Sequence, residues 1–283
     1  MKKIFVLGIM MLTVFSVSVQ AQTPFAVEGP LTAVDPTLET ITVMGMEISV
    51  PNGTPINSPS ATLTLSDLLG DPLPGRGTTQ GFLNGTAIVT GTITGGVMTA
   101  DDVFTEPAEN VVLGEVTEVT AGGSVVVNGV TTVELTDPRI PFGGYVNDLG
   151  TPVNKADIQP GNIAGAEGYY AGGVLYIFAM EIAGVNSSVT PEVGITRAQG
   201  RADTGRLEVR GGLTGISGNQ RIELRDAANP TGPVLATALV GEDPVIPGTA
   251  EFRFRVKGIT VPEVVRVDNV TSPSFATAEV NIR

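Results

Sequence analysis

Apolar and polar residues alternate in short runs along most of the chain. Residues 27–56 and 112–140 share the order Val-x-Gly-x-(Leu/Val)-Thr-x-Val followed by (Ile/Val)-x-Val-x-Gly. The period of two predicts strands that bury one face. The pairs Met44-Gly45 and Asn128-Gly129 predict tight turns between strands. Abundant Thr, Val and Gly with few Lys and Glu residues favour strands over long helices.

A second match links the later halves of the two stretches. Residues 87–103 and 164–180 share Gly-x-x-x-Gly-Gly-Val, which predicts a hairpin with a Gly-Gly turn. Each unit therefore holds two hairpins in roughly 80 residues, a size at which a small closed barrel buries one core. The Pro- and Gly-rich connections at 58–80 and 138–162 predict long loops, with one short helical turn at 66–69.

This order of motifs resembles a family of secreted bacterial β domains of unknown function, which often occur in tandem and are expected to be small OB-like barrels. The resemblance covers residues 25–183. Its motifs are strand and turn positions, so it implies a fold and no catalytic residue.

The pattern changes after residue 188, and the repeat motif is absent from there on. Turn signals separate seven predicted strands, at 193–198, 206–213, 220–226, 234–240, 250–257, 263–269 and 275–282. This spacing predicts a two-sheet sandwich. At the level of fold it resembles the bacterial immunoglobulin-like domains of surface proteins. The predicted fold class is all-β, with two tandem OB-like barrels (22–109 and 110–185) followed by an immunoglobulin-like sandwich (186–283).

The N-terminus has the pattern of an export signal. Lys2 and Lys3 precede an apolar run to Val19, and Val19-Gln20-Ala21 offers small residues where signal peptidase cleaves. We expect a signal peptide at 1–21 and a mature protein in the periplasm, on the cell surface or outside the cell; an uncleaved anchor is the alternative. The longest later apolar run, 173–180, is too short to span a bilayer as a helix, so no transmembrane segment is expected after cleavage.

Charge is distributed unevenly along the chain. Residues 22–190 carry three basic and 18 acidic side chains, whereas residues 191–283 carry 11 of each. An acidic region of this size repels nucleic acid and anionic lipid, so neither is predicted as a partner. Net negative charge that keeps an exported protein soluble is the simpler interpretation.

The composition excludes several kinds of catalysis. The chain has no His, Cys or Trp, which removes imidazole bases, thiolate nucleophiles, disulfides and His- or Cys-ligated metals. Lys155 and Lys257 lie in no Ser-Lys motif, and no Trp is present to stack on sugars beside paired carboxylates. We therefore predict that the protein is not an enzyme.

The remaining candidate binding residues are tyrosines and loop carboxylates. Tyr169 and Tyr170 should point to opposite faces of a strand, which leaves one of them exposed, and Asp148 and Asp157 lie in nearby loops. These four residues form a predicted ligand site. No cofactor is predicted, but calcium is a possibility at loop carboxylates outside any regular calcium-loop spacing, namely Asp67, Asp71, Asp101 and Asp102.

Basic residues alternate with apolar ones in the last third of the chain. If the predicted strands share a sheet, they form a docking face for the acidic barrels or for an anionic surface polymer. A solvated face with weak cross-strand ion pairs is the plainer interpretation. The predicted docking residues are Arg253, Arg255, Lys257, Arg221 and Arg225.

Three functions remain open from the sequence. The first is a non-catalytic exported structural or adhesive module at the cell surface or in the periplasm. The second is a module that binds polysaccharide or a divalent cation. The third is a subunit that self-assembles into an extracellular filament or surface assembly through exposed strand edges.

Overall fold

The computed structural model describes residues 22–186 and 190–282; the predicted signal peptide lies outside the described residues. The described residues form strands and two single 3-10 turns with no α-helix, which confirms the predicted all-β class. One 3-10 turn, Asp67–Leu69, coincides with the predicted helical turn. Within this part of the chain, no helix has the length and apolarity that a bilayer crossing requires.

Six strands build the first closed barrel, named barrel 1: β1 (Thr23–Asp35), β2 (Thr40–Val43), β3 (Met46–Ser49), β4 (Ile56–Asn57), β5 (Thr86–Thr94) and β6 (Val97–Glu106). Five of them pair around the barrel in the order β1-β2-β3-β6-β5 and back to β1. The contact between β3 and β6 is parallel and closes the ring. Short β4 then pairs in parallel with β6.

Six further strands build barrel 2: β7 (Asn110–Val119), β8 (Val125–Val127), β9 (Val130–Glu134), β10 (Tyr145–Asn147), β11 (Ile163–Ala171) and β12 (Val174–Ala183). Their order around the ring is β7-β8-β9-β12-β11, again closed by a parallel contact, here between β9 and β12. Short β10 pairs in parallel with β12, as β4 does with β6. The two barrels therefore share one strand order.

The barrels also share their strand register. Leu31 pairs with Val43, and Val116 pairs with Val127, in the first hairpin of each barrel. One residue beyond this pair, each first strand carries a β-bulge before pairing resumes. All four side chains are fully buried. The matched valines and leucine of the sequence repeat therefore hold equivalent core positions.

A second bulge lies in the later hairpin of each barrel, beside Gly91 and Gly168. The extra residue on the partner strand is Asp101 in barrel 1 and Phe178 in barrel 2. A Cβ on either glycine would collide with a backbone carbonyl oxygen of the partner strand. Glycine is needed at both places because the two strands approach too closely for a side chain.

The core of barrel 1 extends beyond barrel 1. Barrel 2 fills its own interior, but the core of barrel 1 continues through the connection 58–83 to Tyr169 and Phe178 on the outer face of barrel 2. Each unit was expected to bury one core as a small closed barrel; barrel 2 does so, whereas the core of barrel 1 is completed by residues outside that barrel. The reason is the connection itself, which carries the buried side chains Leu68, Leu73 and Phe82.

Hydrogen bonds reinforce the contact between the barrels. The Arg139 guanidinium donates to the carbonyl oxygen of Asp71 at 2.8 Å, and the Tyr169 hydroxyl donates to that of Pro74 at 2.9 Å. The Ser58 hydroxyl donates to the Arg139 carbonyl at 2.7 Å. Burial of these polar groups costs little because they pair with one another.

The last eight strands form two four-stranded sheets: β13 (Glu192–Arg201), β14 (Arg206–Thr214), β15 (Gln220–Asp226), β16 (Ala236–Val240), β17 (Ala250–Val256), β18 (Val264–Asn269), β19 (Ser274–Glu279) and β20 (Asn281–Ile282). One sheet has the order β17-β14-β13-β20 and the other β16-β15-β18-β19. A single apolar cluster fills the space between them.

The seventh strand predicted for this region is two strands in the structure. β19 and β20 belong to different sheets, and the buried Val280 lies between them in the shared core. The chain crosses from one sheet to the other at this residue. Period-two alternation continues through the crossing, so it gave no sign of the break.

Barrel 2 contacts the sandwich through the loop that follows β10. Leu149 packs on β14, where a Cβ on Gly212 would lie 2.6 Å from the Leu149 Cβ. A Cβ on Gly194 in the neighbouring strand would collide with the Leu149 carbonyl oxygen. Because both residues are glycines, the loop can lie directly against the backbone of β13 and β14.

Candidate functional site

Basic side chains from three adjacent strands gather on the outer face of one sandwich sheet. β13, β14 and β17 are neighbours, so Arg201 lies opposite Arg206 and Glu208 lies opposite Arg255. The inward positions of β17 are filled by Phe252 and Phe254. Alternation therefore sends the basic residues of these strands to solvent.

These side chains line a groove of about 450 Å³. We name it the cationic groove and define it by its charged residues, which are Arg197, Arg201, Arg206, Glu208, Arg255 and Lys257. It contains five bases and one acid, in a chain whose formal net charge is −13. The groove therefore presents a locally positive surface.

Glu208 is shared by several guanidinium groups. Its carboxylate accepts from Arg210 at 2.7 Å, from Arg253 at 2.8 Å and from Arg255 at 3.3 Å. Hydrogen bonds from Arg253, and then from Arg210, lower the pKa of Glu208 to about 2. One negative charge holds three positive charges in place.

Four of the five bases of the cationic groove lack a carboxylate partner among the described residues. Within residues 22–186 and 190–282, Arg197, Arg201, Arg206 and Lys257 form no ion pair, and the Arg197 guanidinium donates to the side-chain oxygen of Gln199 instead. Arg201 and Arg206 are direct cross-strand partners, and like charges in this position repel. An anion placed between them would remove this repulsion.

Two of the five predicted docking residues lie elsewhere. Arg221 and Arg225 belong to β15 in the opposite sheet, so the single docking face that was predicted does not form. Both pair with Glu223, at 2.7 and 2.5 Å. The prediction was conditional on a shared sheet, and local alternation contains no information on which sheet a strand joins.

Tyr169 is unavailable to a ligand. It is 2% exposed, stacks on Tyr176 with 5.3 Å between ring centroids, and is covered by the connection of barrel 1. Burial raises the pKa of its hydroxyl. Tyr170 is 56% exposed, so the alternation correctly placed one tyrosine on the surface.

The carboxylates predicted to accompany the tyrosines do not join them. Asp148 lines a crevice at the contact between barrel 2 and the sandwich, together with Leu149 and Asp243. Its side chain accepts from the Gly184 amide at 3.4 Å. Asp157 ends a 3-10 turn in a loop of barrel 2. Asp148 faces the sandwich whereas Tyr169 faces barrel 1, so the four residues form no common site.

The predicted calcium ligands are dispersed as well. The Asp67 carboxylate accepts from the amide and hydroxyl of Thr64 at 2.7 and 2.6 Å, which is a local turn cap. Asp71 contributes a backbone oxygen to Arg139. Asp101 and Asp102 are both exposed because the bulge interrupts their alternation. Across the described ranges, no group of three potential metal ligands was found.

Arg197 and Arg201 were not among the predicted docking residues, although both line the cationic groove. The signal was present, since Arg197, Gln199 and Arg201 alternate along β13 as the basic residues of β17 do. Their separation from β17 by about 50 residues hid the fact that both strands flank β14.

Comparisons with known proteins add no family. Neither a protein-family model nor a curated protein matches this chain.

Proposed function

We propose that the protein is a non-catalytic exported adhesive module that holds an anionic surface polymer in the cationic groove. The observation that carries the proposal is the set of four bases without an ion pair among the described residues, Arg197, Arg201, Arg206 and Lys257, in a chain whose net charge is −13. Export is inferred from the signal sequence. The absence of His and Cys, together with the dispersed carboxylates, supports a role in binding rather than catalysis.

A carboxylated or sulfated polysaccharide fits the groove better than nucleic acid does. Arginine forks bind carboxylates and related anions with two parallel hydrogen bonds. No aromatic side chain lines the groove, whereas single-stranded nucleic acid binds by stacking on aromatic rings. The acidic barrels also repel a long polyphosphate chain.

The architecture supports the same role. We infer that barrels 1 and 2 are OB-like, since each is a five-stranded barrel whose third and last ring strands pair in parallel. We infer that the sandwich is immunoglobulin-like, because two mainly antiparallel sheets enclose one core and the chain passes several times from one sheet to the other. Three joined β domains form a scaffold that presents one charged face.

The test is binding of the mature chain to alginate, a polyuronate, with neutral dextran as the control polymer. We expect binding that weakens as salt rises, because each contact releases counterions from the polymer. The double variant Arg201→Gln, Arg206→Gln should weaken alginate binding by roughly tenfold or more, since each charge-assisted hydrogen bond contributes about 1.5 to 3 kcal/mol.

Arg221→Gln is the matched control, because it removes one exposed arginine from the opposite sheet. It should leave alginate binding unchanged. Equal loss in the control, or salt-insensitive binding, would contradict a role for the groove. Shortening of alginate during incubation, measured by light scattering, would contradict a non-catalytic function.

A further inference from the structure

The outer face of barrel 2 is largely apolar along β11 and β12, and barrel 1 covers one part of it. The covered part contains Tyr169, Tyr176 and Phe178, which pack against the irregular connection 58–83. At its centre, the Tyr169 hydroxyl donates to the carbonyl of Pro74. This face therefore already binds an irregular polypeptide segment, through apolar contacts and a hydrogen bond to a backbone carbonyl.

The uncovered part forms a groove of about 360 Å³ on the outer side of β7, β10, β11 and β12. Gly165, Ala179 and Ala183 give it a shallow floor, because small residues leave room between the strands. Its sides include Leu113, which is 71% exposed, and the exposed Ile163. We name it the barrel 2 groove. Ala179 belongs to both parts, so the groove continues the contact with barrel 1.

The charges at the barrel 2 groove are all negative. Glu167 and Glu181 line it, and none of its lining residues is basic. Repulsion from Glu109 and Glu167 acts on Glu106 of barrel 1, which is 7% exposed and whose carboxylate has no hydrogen-bond partner among the described residues. Repulsion from Asp148 acts on Glu181. Glu167 and Glu181 lie on neighbouring strands, where Glu167 is opposite Ala179 and Glu181 is opposite Gly165, and neither forms an ion pair among the described residues.

We propose that the barrel 2 groove binds an extended polypeptide segment of a partner protein, with an apolar side chain on the groove floor and a lysine or arginine on either side of it. The apolar residue would remove Leu113 and Ile163 from water, and the two cations would pair with Glu167 and Glu181. The long stems of lysine and arginine also pack favourably on apolar walls. This proposal is independent of the cationic groove, which lies on the sandwich.

A polypeptide is favoured over a metal ion or a small cation. The described residues contain no cluster of three potential metal ligands, and a metal would gain nothing from the apolar walls. The neighbouring part of the same face is occupied by polypeptide, at Pro74 and Gly75. A partner segment would thus extend an existing mode of contact across the sheet.

The experiment is an NMR titration of the mature chain, observed at the methyl groups of Leu113 and Ile163. The probe is the capped peptide Lys-Val-Leu-Val-Lys, and the charge-reversed peptide Glu-Val-Leu-Val-Glu is the control ligand. We expect saturable shifts of these methyl signals with the lysine peptide only. No saturable shift, or equal shifts with both peptides, would overturn the proposal.

Two variants locate the binding. Gly165→Val places a branched side chain on the groove floor, at a position where a Cβ makes an ordinary 3.6 Å contact with Leu113 Cδ1. It should abolish the shifts at Ile163. The double variant Glu167→Gln, Glu181→Gln should raise the dissociation constant at least tenfold, whereas Glu118→Gln, on an exposed position of β7 outside the groove, should not change it.

Melting curves of each variant should match the parent, which shows that any loss of binding is not unfolding. If Gly165→Val binds the lysine peptide as well as the parent does, the proposal is wrong. It is also wrong if light scattering shows concentration-dependent self-association that Gly165→Val removes, since the occupant would then be a second copy of this chain.

Discussion

At the residue scale, Glu208 controls how many arginines of the sandwich face are free to bind an anion. Its carboxylate accepts from Arg210, Arg253 and Arg255. Glu208→Gln removes the single acid of the cationic groove and leaves three guanidinium groups unpaired. We expect alginate to bind several-fold more tightly, and with a steeper dependence on salt, as titration calorimetry at several salt concentrations would show.

The same change should alter the stability of the sandwich at moderate pH. Because the pKa of Glu208 is lowered, its ion pairs stabilise the folded state at pH values above the usual glutamate pKa. This stabilisation is lost as the pH falls toward about 2. Glu208→Gln should therefore lower the melting temperature at pH 7 but not at pH 2. Weaker alginate binding in this variant would show that Glu208 positions the arginines rather than masking them.

The carboxyl of Glu106 has a raised pKa, in contrast to the lowered pKa of Glu208. Burial, and then repulsion from Glu109, Glu167 and Glu28, raises the pKa of its carboxyl above the usual value of 4.5. A raised carboxyl pKa means that the folded state binds a proton more tightly than the unfolded state, so stability falls as pH rises through this window. Glu106→Gln should increase the melting temperature at pH 7.

Differential scanning calorimetry at pH 4.5 and pH 7 would check this prediction. The gain should be larger at pH 7, because at pH 4.5 the parent already carries part of the proton. Glu47→Gln is a suitable control, since Glu47 is an exposed carboxylate on barrel 1. Destabilisation by Glu106→Gln at pH 7 would mean that the charge has a favourable partner in solution.

The sequence predicted individual side-chain directions better than it predicted their neighbours. Alternation correctly predicted that one of Tyr169 and Tyr170 is exposed and that Arg253 and Arg255 point outward. It did not predict that Tyr169 is covered by Pro74, which is 95 residues away along the chain. Side-chain direction is a local property of a strand, whereas the identity of the covering segment depends on long-range packing.

At the scale of the strand, the hairpin turns were predictable and the bulges were not. Asn128 and Gly129 have φ values of 49° and 78°, as expected for the tight turn that an Asn-Gly pair favours. A bulge inserts one residue without a compositional mark, so Asp101 and Phe178 broke the predicted alternation. Shared Gly91 and Gly168 were recognised as a repeat, but their role beside the bulge required the structure.

Gly91 and Gly168, the glycines beside the second bulge of each barrel, allow a direct test of whether the two bulges are structurally equivalent. Gly91→Val and Gly168→Val each force a side chain against a carbonyl oxygen of the partner strand. We expect each to lower the free energy of unfolding by about 2 kcal/mol or more, because overpacking of a fixed backbone moves the strands apart. Denaturant unfolding of the mature chain would measure both.

Gly165→Val is the control for a glycine elsewhere in β11, because a Cβ at Gly165 makes an ordinary 3.6 Å contact with Leu113 and meets no carbonyl oxygen within 4 Å. It should cost less than about 1 kcal/mol, the usual range for a tolerated surface change. If the Gly91 and Gly168 variants differed strongly from each other, the two bulges would not be structurally equivalent.

At the scale of the whole molecule, the structure departs from the predicted arrangement of separate units. The predicted boundaries at 109/110 and 185/186 do fall between strands. However, the apolar side chains of the connection in barrel 1 are buried against barrel 2, and the resulting core includes Leu135 and Ile140 from the second unit. A repeat in sequence indicates a common fold for two units, but it does not indicate how much surface each unit leaves for the other to cover.

The shared core predicts unequal independence of the parts. Residues 110–186 produced alone would expose Tyr169 and Phe178, whose burial is worth about 1.5 to 3 kcal/mol each. This fragment should melt roughly 10 °C or more below residues 22–186, by the usual relation between stability and melting temperature in small domains. It should also bind a hydrophobic dye that residues 22–186 do not bind, which fluorescence would detect.

Residues 190–282 should be more independent, because the sandwich buries its own core. Its contact with barrel 2 includes the packing of the loop at Leu149 on Gly194 and Gly212. That contact is between a loop and a sheet face, so its loss exposes little apolar surface in comparison with the loss of barrel 1. The isolated sandwich should therefore unfold at nearly the temperature at which it unfolds in the mature chain. If the isolated sandwich bound the dye while the 110–186 fragment was stable and bound none, the prediction would be contradicted. Barrel 2 would then depend little on barrel 1, and the sandwich would depend on its contact with barrel 2.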